Sequence, residues 1–60
     1  MENLILSDGT TVKVNIEYDE ESNKYIAIFP ELDDTSTFGN DYIECKNRAK
    51  EAAEGRLGII

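Results

Sequence analysis

Along the chain, apolar and polar positions fall into short blocks with different periods. Leu4, Ile5 and Leu6 form a brief apolar run that gives way to Ser7-Asp8-Gly9-Thr10, and an Asp-Gly pair tolerates the positive φ of a tight hairpin turn. From Thr11 to Tyr18 the alternation is strict: Val12, Val14, Ile16 and Tyr18 share one side, Thr11, Lys13, Asn15 and Glu17 the other. That period of two predicts a half-buried strand. Asp19 to Lys24 carries no apolar residue and predicts an exposed loop. The next block, Tyr25-Ile26-Ala27-Ile28-Phe29, breaks the alternation. Tyr25, Ala27 and Phe29 point one way, Ile26 and Ile28 the other, so both faces of this strand are apolar and both call for cover. Pro30 ends ladder pairing because it lacks a backbone donor. Glu31 to Asp34 then make an acidic turn, Thr35 to Phe38 a short β-prone segment, and Gly39-Asn40 a break.

Asp41 opens the single predicted helix. With Glu44 three residues on, it forms an Asp-x-x-Glu variant of the capping box, which satisfies backbone donors left over at a helix start. At about 100° per residue, Tyr42, Cys45, Ala49, Ala52, Ala53 and Leu57 fall on one face. Most of these side chains are small, so the helix axis can lie close to a sheet. Gly55 or Gly58 is placed to end the helix. The tail from Arg56 to Ile60 then either returns as a last short strand or pairs with another chain. Together these elements predict an α+β fold, an antiparallel sheet of three to four strands with one helix packed on one face. The expected organisation is one domain over residues 1–60, entered through an N-terminal hairpin at about 3–18.

Size sharpens the question of cover. A chain of 60 residues buries only about 60 % of the surface its unfolded form exposes, and the usual staples are missing. One cysteine, Cys45, closes no intramolecular disulfide, and without histidine a compact zinc site is disfavoured. A single helix covers one face of a sheet, so a partner chain is the economical cover for Ile26 and Ile28. The other option is that the N-terminal hairpin or the Ile59-Ile60 tail folds over them. Among partner chains a second copy comes first, because symmetric dimers are the commonest oligomers.

Charge narrows the class of partner. Thirteen acidic against six basic residues give a net charge of −7, which opposes a phosphate backbone and favours a basic protein. Simple solubility is the plainer reading of the same acids. No apolar run approaches the length of a membrane span, and Met1 leads into Glu2 and Asn3 without a basic or cleavable segment. Direct DNA binding and membrane insertion are therefore not expected, and the chain reads as cytoplasmic.

Catalytic constellations are not apparent. A two-metal nuclease site needs carboxylates converging from adjacent strands, whereas these acids cluster in loops. Asp33 beside Asp34 is a poor ligand pair for Mg²⁺. Cys45 lies on the apolar helix face with no histidine to serve as base, so packing is its expected role. Lys46, Arg48 and Lys50 are interspersed with Glu44, Glu51 and Glu54 and read as an ordinary solvated face. No catalytic, cofactor or metal residue is expected.

Taken in order, the strand Tyr25-Ile26-Ala27-Ile28-Phe29-Pro30-Glu31-Leu32, the segment into Gly39, and a capped helix with Glu44, Ala49, Glu51 and Ala52 resemble the amino-terminal domain of HicB-like antitoxins. The resemblance covers roughly Val12 to Leu57. It implies a β-β-β-α core, a reduced relative of the ribonuclease H fold, that binds and neutralises a small basic mRNA-cleaving toxin of HicA type. The chain departs from the family pattern in four places. Asn40-Asp41 stands where Asp-Thr/Ser is usual, Cys45 where alanine is common, and Lys46 at a position normally apolar. The sequence also ends at Ile60 without the DNA-binding domain of many members, which puts operator binding in doubt. On this reading the partner-binding residues are Ile26 and Ile28 on the strand and Glu31, Asp33 and Asp34 in the acidic turn. The alternatives are a stand-alone homodimeric regulatory or RNA-associated domain with no toxin partner, and a degenerate ribonuclease H-like nuclease.

Overall fold

The computed structural model describes residues 1–59. Four strands, β1 (Glu2–Ile5), β2 (Thr11–Asp19), β3 (Lys24–Phe29) and β4 (Thr35–Gly39), precede one helix, α1 (Tyr42–Leu57). The strands form one antiparallel meander in the order β1-β2-β3-β4. The fold is therefore the α+β arrangement expected, with four strands, within the three to four predicted.

Local chemistry accounts for each connection. In the β1–β2 turn Gly9 has φ +88. The Leu6 N–H donates to Thr10 O at 2.8 Å and the Gly9 N–H to Leu6 O at 3.0 Å, while the Asp8 carboxylate accepts from the Thr10 N–H at 2.9 Å. Pro30 starts a 3-10 turn, Pro30–Leu32, which leaves through Asp33 in the left-handed region. Asp41 caps α1 by accepting from the Glu44 N–H at 2.8 Å. The reciprocal bond differs from a standard capping box, because Glu44 accepts from the N–H of Asn40 at 3.0 Å, one residue before the cap. At the other end Gly58, with φ +75, closes the helix. Its N–H donates to Gly55 O and that of Ile59 to Glu54 O, the two-bond glycine termination of a Schellman motif.

The tail expectation is corrected here. Arg56 and Leu57 belong to α1, and Ile59 packs against the core instead of joining the sheet. Ile60 lies outside the described residues.

The core sits between α1 and one face of the sheet. Leu4, Leu6, Val12, Val14, Ala27 and Phe29 meet Cys45, Ala49 and Ala53, with Ile16, Tyr25, Leu32 and Ile59 at its margin. Four of these six sheet-side residues, Leu4, Leu6, Val12 and Val14, come from the N-terminal hairpin, so β1 and β2 are structural members of the domain. The small helix residues permit close approach. A Cβ on Gly39 would lie 2.4 Å from the Cys45 backbone nitrogen, so the start of α1 rests directly on the end of β4.

Two helix positions expected to be buried are not. Tyr42 is 39 % exposed and Leu57 43 %, in the first and last turns of α1. Tyr42 packs edge-on to Tyr25 and its hydroxyl donates to the Glu2 carboxylate.

Candidate functional site

Strand parity decides what the second face of the sheet presents. Ala27 and Phe29 face the core, so Ile26 and Ile28 face away from the helix, as the sequence required. The register then sets their neighbours. Ile26 lies between Glu17 of β2 and Phe38 of β4, and Ile28 between Asn15 and Ser36. Ile26 and Ile28 are partly buried by these flanking side chains, while Phe38 is 50 % exposed. No element of the described chain crosses this face.

Two shallow depressions flank Ile26. One, of about 500 Å³, is lined by Ser22, Lys24, Ile26, Ser36, Thr37 and Phe38. The other, of about 200 Å³, is lined by Glu17, Tyr18, Asp19, Ile26 and Ile28. The face thus has an apolar centre with carboxylates on its β2 side and cations on its β4 side. Lys24 Nζ lies 5.4 Å and the Arg48 guanidinium carbon 5.9 Å from the Phe38 ring centroid, within cation–π range.

The acids named with the isoleucines as partner-binding residues lie in the acidic turn after β3. Glu31, Asp33 and Asp34 occupy the β3–β4 turn, past the Phe29 end of the hairpin. Glu31 accepts a long bond, 3.4 Å, from the Lys13 N–H. Asp33 is turned toward the helix and pairs with Arg56 at 2.6 Å. Asp34, with φ +56, leads the chain into β4. The structure therefore brings Ile26 and Ile28 together but puts Glu17 and Asp19 next to them.

Phe38, Glu17 and Asp19 are the members that sequence reading did not assign to the site. Each could have been found from parity: Phe38 alternates with Thr37 and Gly39, and Glu17 and Asp19 with Ile16 and Tyr18. The missing data were the registers, β2–β3 for Glu17 and Asp19 and β3–β4 for Phe38, which connections of four and five residues leave open.

Glu54 overturns another expectation. It belongs not to a solvated face but to the buried set, at 5 % exposure. Its carboxylate accepts from the Ser7 N–H at 2.7 Å and from the Ser7 hydroxyl, tying α1 to the β1–β2 turn. Those two bonds, the hydroxyl first, hold its pKa below the ordinary glutamate value. Cys45 is buried, and burial pushes its thiol pKa up, the opposite of an activated nucleophile.

Among the described residues, no three His, Cys, Asp or Glu side chains gather where they could hold a metal ion. No described helix is long and apolar enough to cross a membrane. Compared with known proteins, the chain matches no protein-family model, no curated protein and no solved structure.

Proposed function

We propose that the chain is a non-catalytic, antitoxin-like protein-binding module whose uncovered sheet face receives a small basic partner. The resemblance of its strand and helix motifs to HicB-like domains makes an mRNA-cleaving toxin of HicA type the partner class. One observation carries the reading: Ile26, Ile28 and Phe38 form an apolar centre on a face that nothing in the described chain covers, beside Glu17 and Asp19. Apolar centres with polar rims are the usual anatomy of protein interfaces, and the net charge of −7 speeds encounter with a basic surface.

The test is affinity capture from the native cell with the whole chain as bait, in parallel with an Ile26→Asn/Phe38→Ser variant and a Glu17→Lys/Asp19→Lys variant. The expected result is a short basic protein retained by the wild type, lost with the first variant and weakened with the second, more so at low salt. That protein expressed alone should degrade mRNA, and co-expression with the chain should suppress the degradation. Retention that ignores both variants overturns the site. Recovery of no basic protein overturns the function.

A further inference from the structure

The sheet ends in two edge strands, and they are protected unequally. β1 is four residues long, and its Glu2 carboxylate is engaged by the Tyr42 hydroxyl and, at 3.8 Å, by the Lys46 ammonium. β4 reads Thr-Ser-Thr-Phe-Gly. It has no charge and no proline, and it pairs with β3 alone. Natural edge strands normally carry a charge, a proline, a bulge or a cover, because every other residue turns an N–H and a C=O outward. The side chains that reach this rim are Lys24, from β3, and Arg48, which extends from α1 toward Phe38 and is held by a long ion pair, 3.7 Å to Glu44.

Charged side chains stand at both ends of β4. Asp33 and Asp34 immediately precede it. At its far end Lys24 Nζ donates to the Asn40 side chain at 2.9 Å, with Arg48 close by. Among the described residues neither Lys24 nor Asp34 forms an ion pair. That far end also carries the Asp41 cap and Glu44, which offset Arg48, so the charges that become complementary when the edge is reversed are Asp34 at one end and Lys24 at the other.

We propose that a second copy of the chain pairs antiparallel along β4, about a two-fold axis through Thr37. In that register Thr35 faces Gly39 of the second copy and Ser36 faces Phe38. Asp34 then falls opposite Asn40, where Lys24 already sits, and the contact occurs twice. The result is a continuous eight-stranded sheet with both helices on one face. A two-fold contact of this kind is closed, so it stops at the dimer. The local complementarity matters because two chains of charge −7 repel elsewhere. This assembly leaves the Ile26 face open and stands or falls independently of the basic partner.

The test is sedimentation equilibrium of the purified whole chain, with far-UV circular dichroism to show that each variant is folded. The wild type is expected to dimerise. Asp34→Lys and Lys24→Asp each replace two attractions by two repulsions and should weaken the dimer at least about tenfold. Mixing the two variants restores opposite charges at both contacts, so the mixture should form a heterodimer where neither variant dimerises well alone. Concentration-dependent hydrogen-exchange protection of β4 amides in the wild type gives a second readout that needs no variant. A wild type that stays monomeric at about 0.5 mM overturns the proposal. So does a dimer indifferent to both charge reversals, or a mixture that fails to recover pairing.

Discussion

Gly39 is the position where one added carbon tests the packing most directly. Replacing it by alanine puts a Cβ 2.4 Å from the Cys45 nitrogen, 2.7 Å from its Cα and 2.9 Å from the Glu44 carbonyl carbon. All three obstacles are helix backbone, so no rotamer change relieves the overlap. Ordinary contact would require the start of α1 to retreat by about 1 Å, against the Asp41 cap and the buried Cys45 behind it. Overpacking of this kind costs about 1–3 kcal/mol, and a rigid obstacle argues for the upper part of that range. A chain of 60 residues has a total stability of about 3–9 kcal/mol, so the substitution removes a large fraction of it. At about 4–8 °C per kcal/mol for a domain this small, Tm should fall by about 10–20 °C.

Gly55 supplies the control. It lies within the same helix, is exposed, and a Cβ there meets nothing within 4 Å. Alanine is the better helix former by about 0.8–1 kcal/mol, so Gly55→Ala should raise Tm by about 4–8 °C. Thermal and urea unfolding followed by far-UV circular dichroism would measure both. A Gly39→Ala protein within about 0.5 kcal/mol of wild type would refute the close approach of helix and sheet, and with it the account of why this helix face is built from alanine and cysteine.

Further substitutions probe other parts of the same argument. Phe29 is fully buried, so Phe29→Ala should cost about 3–5 kcal/mol and leave little cooperative unfolding; Ile28→Thr, on the opposite face of the same strand and only partly buried, should cost less than about 1.5 kcal/mol, and equal losses in urea titrations would deny that the two faces differ. Asp41→Ala removes the bond to the Glu44 N–H and should cost about 1 kcal/mol, with Asp41→Asn retaining most of the stability. Glu54 binds its proton less readily folded than unfolded, so its contribution is present above the unfolded glutamate pKa and is lost as pH falls through the lower folded value. Urea midpoints measured from neutral to acid pH should therefore drop over that window, and Ser7→Ala should flatten the drop; an unchanged pH profile in the variant would rule out the Ser7–Glu54 tie.

Most of the framework was legible because its signals are local. The alternation of Val12, Val14 and Ile16 needs only the period of a strand. The Asp8-Gly9 turn needs one positive φ, and the Asp41 cap one carboxylate three residues before an acid. What could not be read is what depends on the distance an element runs past its neighbours. Tyr18 keeps the alternation yet stands half in water, beyond the helix, stacked edge-on to Tyr25 at 5.2 Å. Leu57 keeps the helical period yet stands exposed at the last position of α1. Glu54 gave no local sign of burial, because its partner Ser7 lies 47 positions away and only the completed fold brings the turn beneath the last helical turns.

The same division explains the two-faced strand. Tyr25, Ala27 and Phe29 are required by the core, and any sequence that seated this helix so close to the sheet would need residues like them. Ile26 and Ile28 have no such duty, since α1 and the N-terminal hairpin both contribute to the opposite face and Ile59 also packs there. A strand with one face in water is satisfied by alternation, as β2 shows with Lys13, Asn15 and Glu17. β3 forgoes that pattern beside an exposed Phe38 in a chain that is otherwise strongly acidic. Solubility alone favours polar residues at these positions, and their apolar character is what the proposed docking of another polypeptide on this face would explain.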